Sequence, residues 1–108
     1  TVLAGKITFQ ALTAGGDLSN YRTDGLNMFT IKELTTPFRA TANLCQMEWL
    51  PPFAVLGIHQ GLPKEECTRH AEDYRKTLIA LRDNRLDLAK ARDCELLNHE
   101  LKSIINEV

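Results

Sequence analysis

The chain has 108 residues, 13 basic and 14 acidic side chains, and a formal net charge of −1. At 44% hydrophobic and 25% charged it has the composition of a folded domain, with enough length for one core. The near-neutral, interspersed charge excludes the basic footprint with which nucleic-acid binders displace counterions from phosphates. No apolar run reaches the roughly 18 residues of a membrane span.

The first residues, Thr1-Val2-Leu3-Ala4-Gly5-Lys6, hold no initiating Met, no long apolar core and no small-residue cleavage site. No signal peptide is expected, and the chain reads as trimmed or as beginning inside a longer protein. Lys6 to Leu12 (KITFQAL) predicts a buried strand bounded by Gly5 and by Gly15-Gly16. Thr13 to Asn27 follows as a turn-rich loop at that strand's carboxyl end, where open α/β sheets bind ligands. Thr30-Ile31-Lys32-Glu33 fits a capping box and predicts a helix from Thr30. Pro37 predicts a second helix with Thr36 as its N-cap, on which Phe38, Ala42 and Cys45 share a face.

Trp49 to Gly57 (WLPPFAVLG) predicts a second strand, with Pro51-Pro52 at its start or on an edge. Pro63 opens a long helix whose apolar stripe is Cys67, Ala71, Tyr74, Leu78 and Leu81. Asn84 weakens it. Residues 84–108 then predict an amphipathic C-terminal helix with the stripe Cys94, Leu97, Leu101, Ile104 and Val108. Strand, loop, helix, strand, helix is an α/β order with a crossover between parallel strands. Two parallel strands lack the neighbours and the cover that such sheets need, so the chain reads as half of something.

Cys45, Cys67 and Cys94 are odd in number, widely spaced and form no C-x-x-C pair. They read as small buried hydrophobes in a reducing cytosol rather than as a disulfide framework. His59, His70 and His99 are not spaced to join them in a metal site, so no metal is expected. The informative segment is Thr13-Ala14-Gly15-Gly16-Asp17. Glycines directly after a strand let backbone N–H groups approach a ligand, because no Cβ stands in the way. It is neither a phosphate loop nor a dinucleotide fingerprint, and on its own a tight glycine turn is the simpler reading.

Context changes that weighting. The run Leu3-Ala4-Gly5-Lys6, the strand, Thr13-Ala14-Gly15-Gly16, Tyr21-Arg22-Thr23-Asp24-Gly25-Leu26-Asn27 and Cys45-Gln46-Met47-Glu48-Trp49-Leu50-Pro51-Pro52-Phe53 resembles the flavodoxin-like NAD(P)H:quinone oxidoreductases. The nearest branch is that of the ancillary proteins of glutathione-gated potassium efflux systems. The resemblance covers roughly residues 2–80, against the carboxyl-terminal half of the family's domain. It implies a three-layer α/β/α fold with a parallel sheet, with residues 1–83 as the C-terminal half of a flavin-binding domain. It further implies two-electron, ping-pong hydride transfer from NAD(P)H to a quinone through bound FMN, or alternatively FAD.

In that family the Thr-x-Gly-Gly loop lies along the flavin ring, which assigns Thr13, Ala14, Gly15 and Gly16 to cofactor binding. Tyr21 matches a tyrosine that lines the substrate pocket and helps stabilise charge on the flavin. Asn27 falls where mammalian relatives carry a His, and an amide hydrogen-bonds where an imidazole would also take a proton. The family's phosphate-binding loop, with its His-Pro pair, and its second aromatic loop have no counterpart here, so the isolated chain is expected to be inactive. The resemblance also implies a homodimer, a cytoplasmic protein and association with a potassium efflux membrane protein. The alternative is a non-catalytic regulatory subunit of such a channel, or an interaction module.

Other residues carry plainer readings. Asp17 and Asp24 read as turn formers rather than acid–base groups, and Trp49 as a packing anchor. His59 reads as a turn histidine beside any pocket after the second strand. His70 and Asp73 read as a solvated pair on one helix face. The stripe from Cys94 reads as core or dimer packing rather than as a membrane-surface helix.

Overall fold

A computed structural model describes residues 2–106. Its elements are β1 (Ile7–Thr8), β2 (Ala11–Thr13), α1 (Ile31–Leu34), α2 (Thr36–Leu44), β3 (Glu48–Trp49), β4 (Phe53–Val55), α3 (Lys64–Arg82), α4 (Leu88–Arg92) and α5 (Leu101–Ile104). Each expected strand is thus split in two. β1 pairs in parallel with β3, and β2 with β4.

The split has one cause. Thr8 stands opposite Trp49 and Ala11 opposite Phe53, so Phe9 and Gln10 face the three residues Leu50, Pro51 and Pro52. The prolines have no N–H to give the ladder, and the extra residue is accommodated as a bulge. Pairing stops at Leu50 N–H to Thr8 O (3.0 Å) and resumes at Phe53 N–H to Gln10 O (2.9 Å). Pro51-Pro52 is buried in the gap between β3 and β4, directly before β4 starts and on an edge run of the two-stranded pairing, as expected.

Side chains alternate across the pair. On one face Leu12, Ala14 and Ala54 meet Ile31 of α1 and Leu96. On the other, the Phe53 ring packs edge-on against Tyr74 of α3, with ring centroids 5.3 Å apart. Helices on both faces of parallel strands make this an α/β arrangement. The capping box at Thr30 is present: Glu33 N–H donates to Thr30 Oγ1 (3.1 Å) and Thr30 N–H to Glu33 Oε1 (3.0 Å). α2 starts one residue earlier than expected, with Thr35 as N-cap. The buried Thr35 hydroxyl is already spent on the carbonyls of Ile31 and Lys32, so it ties the two helices together. Of the expected α2 face, Ala42 is buried, Cys45 is half-buried and Phe38 is exposed.

The long helix begins after Pro63 as expected, but it is turned about its axis. Its buried side chains are Thr77 and Ala80, while Cys67, Ala71, Tyr74 and Leu78 of the expected stripe stay at the surface and Leu81 packs against the core. Small residues allow the close approach made by the residues after 84, which displace the larger stripe outward. Thr77 satisfies its hydroxyl by donating to Asp73 O (2.8 Å).

Residues 84–106 do not form the single helix expected. Asn84 adopts the left-handed conformation (φ 56°) and turns the chain. Asp87 then caps the short α4 through Lys90 N–H, and an antiparallel bridge joins Leu86 to Ile105. The apolar positions themselves were well marked by spacing: Cys94, Leu97, Leu101 and Ile104 are all buried. Val108 lies outside the described residues.

This segment closes one edge of the strand pair. Asn98 Nδ2 donates to Ala54 O (2.8 Å) while its Oδ1 accepts from Ala54 N–H (3.1 Å), and Leu97 N–H donates to Pro52 O (2.9 Å). One amide side chain thus takes both outward backbone groups of Ala54, as a neighbouring strand would. Asn98→Ala leaves them unpaired, so we expect a loss of about 1–3 kcal/mol in urea unfolding; His99→Ala, at an exposed neighbour, should change stability by about 0.5 kcal/mol or less.

The three thiols differ in setting: Cys67 is exposed, Cys45 half-buried and Cys94 buried. Burial, with the Glu100 carboxylate second, pushes the Cys94 thiol up from its ordinary value, and its S–H donates to Lys90 O (3.4 Å). In mass-spectrometric alkylation at neutral pH, Cys67 should be labelled first and Cys94 only on unfolding.

Candidate functional site

Both strand runs point their carboxyl ends the same way, so the loop after β2 and the loop after β4 lie side by side. Backbone bonds join them. The carbonyls of Ala14, Gly15 and Gly16 accept from the N–H groups of Ile58 (3.2 Å), His59 (3.0 Å) and Gly57 (2.9 Å). Gly57, two residues after the end of β4, makes this possible by turning left-handed (φ 75°). With their carbonyls held inward, Gly15 and Gly16 have N–H groups that donate to no protein acceptor among the described residues. Two adjacent free donors at the carboxyl end of a parallel strand suit a ligand that presents acceptor atoms in a row.

Asn20 organises the rest of the loop. A Cβ on Gly16 would come within 2.5 Å of Asn20 Nδ2, and one on Gly25 within 2.3 Å of Ser19 O. Asn20 O accepts from Asn27 N–H (3.0 Å). Gly16, Gly25 and Asn27 are therefore gathered around a single residue, although eleven positions separate Gly16 from Asn27. Asn27 is exposed, whereas Tyr21 is half-buried with its side chain against the Ile31–Ala54–Leu96 cluster. Thr13 ends β2 at the surface and Ala14 is half-buried behind it.

Asp17 bridges the two loops, accepting from Ser19 Oγ (2.9 Å) and from Gln60 Nε2 (3.5 Å). Asp24 is held in an exposed fork by Arg22. Both serve loop structure, as turn aspartates do. His59 borders Gly15, its Cβ 3.5 Å from where a Gly15 Cβ would stand. Trp49 lies on β3, before the bulge, in a shallow groove with Thr36, Arg39 and Met47 of the α2 side. It is not part of the loop site. His70 is not a solvated partner of Asp73: it is half-buried in the groove between β2 and α3, and its Nδ1 has no partner among the described residues. Asn20, Gly57 and Gln60 carry no motif, and only the return of the loop on itself shows what they do.

A family model described as "Flavodoxin-like fold" matches residues 1–78. The chain belongs to the flavodoxin-like fold family. The match takes in all four strands and most of α3, and leaves α4, α5 and Asn98 beyond it. Curated relatives include the glutathione-regulated potassium-efflux system ancillary protein KefG of Salmonella paratyphi B (strain ATCC BAA-1250 / SPB7) and that of Salmonella newport (strain SL254). Each is 35% identical over 72 residues, 67% of this chain and 39% of the relative. The chain thus spans about two fifths of the length of these relatives. No solved structure matches. Among the described residues, no helix is long and apolar enough to cross a membrane.

The glycines of this flavodoxin-like loop should rank by what a Cβ meets. Gly25→Ala drives into backbone and should cost about 1–3 kcal/mol. Gly16→Ala need only displace the Asn20 side chain, and Gly15→Ala meets ordinary contact. Thermal midpoints should fall in the order Gly25→Ala, Gly16→Ala, Gly15→Ala, largest loss first.

Proposed function

We propose that the chain supplies the flavin-ring contacts of an FMN-dependent NAD(P)H:quinone oxidoreductase. The observation that supports this reading most is the pair of N–H groups on Gly15 and Gly16, which follow the carboxyl end of β2 and donate to no protein acceptor among the described residues. They suit the carbonyl and ring-nitrogen acceptors of a flavin's pyrimidine side. When bound, FMN supplies the hydride chemistry, passing two electrons from NAD(P)H to a quinone. FAD presents the same ring.

In this reading Thr13, Ala14, Gly15 and Gly16 hold the ring through backbone groups, so an Ala at 14 costs nothing. Tyr21 and Asn27 border the substrate pocket. The Asn27 amide orients a carbonyl substrate by donating a hydrogen bond and moves no proton, because an amide does not titrate near pH 7. Nicotinamide and quinone occupy the pocket in turn, and a homodimer encloses it. The exposed apolar side chains Leu26, Met28 and Phe29 next to Asn27 favour such a contact.

A second reading rests on the relatives' names. As an ancillary subunit of a glutathione-regulated potassium-efflux system, the protein would act at the cytoplasmic side of the membrane through that partner, with redox turnover secondary. A Gly16 variant that loses quinone reduction but keeps control of efflux would favour this second reading.

The family's phosphate-anchoring loop has no counterpart in this chain. Forgoing three charge-assisted bonds of about 1.5–3 kcal/mol each lowers affinity by roughly three orders of magnitude or more. FMN and riboflavin should therefore bind the chain alike and more weakly than about 1 μM, both shifting the Gly15 and Gly16 amide signals in NMR titration. Submicromolar FMN binding, or glycine amides unmoved by either compound, would contradict the reading.

A further inference from the structure

We propose that the groove between α3 and residues 98–105 is a binding site for a short zwitterionic peptide, held by its amino terminus at one end and by its carboxylates at the other. The site does not rest on the flavin reading, for none of its lining residues belongs to the loops around Gly15, Gly16 and Gly57. The lining begins at Asp73 and ends at Ile105, so most of it falls beyond residue 78, where the family match stops. The cavity has a volume of about 1000 Å³, at the upper end of what small-molecule sites enclose. Its floor is apolar, made by half-buried Ile79 and Ile105 and by buried Leu101.

The charges on its rim are sorted. On the α3 wall Asp73 comes first, then Lys76, then Arg85 just past the helix; on the other wall Glu100 comes first, then Lys102. The two walls run the same way. Asn98 is tied to Ala54 of β4, whose neighbour Phe53 packs on Tyr74, and this sets the start of the second wall near Asp73. At the other end, the Leu86–Ile105 bridge and the bond from Asn106 N–H to Arg85 O (2.7 Å) bring the second wall to Arg85. Both carboxylates therefore stand toward one end of the groove, and the cations follow toward the other. His99 lines the acidic end and offers an imidazole nitrogen there.

These groups have not spent their charge on one another. Among the described residues Asp73, Lys76, Glu100 and Lys102 form no ion pair, and Arg85 reaches only Asp83, at 3.8 Å. Asp73 weighs most. It is half-buried, and among the described residues only its backbone carbonyl accepts a hydrogen bond from a side chain, the Thr77 hydroxyl, while its carboxylate accepts none. Partly desolvated charges without partners favour a ligand that brings the opposite ones. A plain anion would satisfy only the basic end, and a plain amine only the acidic one. Length points to about three residues. The wall from Asp73 to the end of α3 at Arg82 runs roughly 14 Å. An extended tripeptide spans about 10 Å, and the long Lys and Arg side chains make up the rest. Its middle side chain, if apolar, rests on Ile79, Leu101 and Ile105.

The test titrates the tripeptide Gly-Leu-Glu into this chain, with acetyl-Gly-Leu-Glu and Gly-Leu-Gln-amide as controls that lack one charged end each. Calorimetry and methyl NMR are the readouts. Saturable binding with a Kd below about 1 mM is expected, and loss of either charged end should weaken it at least about tenfold. The methyl signals of Ile79, Leu101 and Ile105 should shift while the Gly15 and Gly16 amides stay still, so success or failure of flavin binding has no bearing on this result. Asp73→Asn should shrink the preference for the free amino terminus, and Lys102→Gln the preference for the carboxylates, each leaving the other preference in place. If Asp73→Asn unfolds the chain, Glu100→Gln, at an exposed position, carries the same test. No saturable binding, a control that binds as well as Gly-Leu-Glu, floor methyls that do not move, or preferences untouched by the substitutions would each overturn the proposal.

Discussion

The pairing of Leu12 with Ala54 is the constraint on which the other features depend. It aligns two parallel strand runs so that their carboxyl-terminal loops emerge together. From that alignment, three carbonyls of the glycine loop reach the N–H groups of residues 57–59, while the Gly15 and Gly16 N–H groups donate to no acceptor among the described residues. On its far side Ala54 is held by Asn98. The same residue therefore sets the register of the loops and anchors the carboxyl-terminal segment.

Much of this was legible in the sequence because it depends on local rules. The capping box at Thr30, the helix after Pro63 and the two strand regions follow from short-range spacing and side-chain type. Pro51-Pro52 obeys such rules by lying on an edge run just before β4, but the one-residue bulge that splits each expected strand in two leaves no mark in residue types. The α3 stripe shows another limit. Its 4-3-4-3 spacing points to an apolar face, yet most of that stripe is exposed and the face packed in this structure is the one with Thr77 and Ala80, because residues after 84 approach there. In the last quarter of the chain, apolar spacing found the buried residues but not their form, since a left-handed Asn84 and the Asp87 cap break what periodicity alone would continue.

The candidate site was legible as a position but not as a geometry. Glycines after a strand pointed to Thr13–Gly16, and resemblance added Tyr21 and Asn27. That Asn20 gathers Gly16, Gly25 and Asn27, or that Gln60 reaches Asp17 from the other loop, depends on tertiary placement and leaves no motif. The structure divides the expected residues by character: Gly15 and Asn27 are exposed and Gly16 half-buried, while Tyr21 is partly engaged in packing between the loop and α1.

This flavodoxin-like chain carries its glycine loop at the carboxyl end of two parallel strand pairs, and Asn98 caps one edge of them. The central proposal is that the Gly15 and Gly16 N–H groups contact a flavin ring. The most direct measurement is the quenching of riboflavin fluorescence on titration with this chain. The account predicts saturable quenching that is lost in Gly15→Val. Absence of saturable quenching, or quenching indifferent to that replacement, would contradict it.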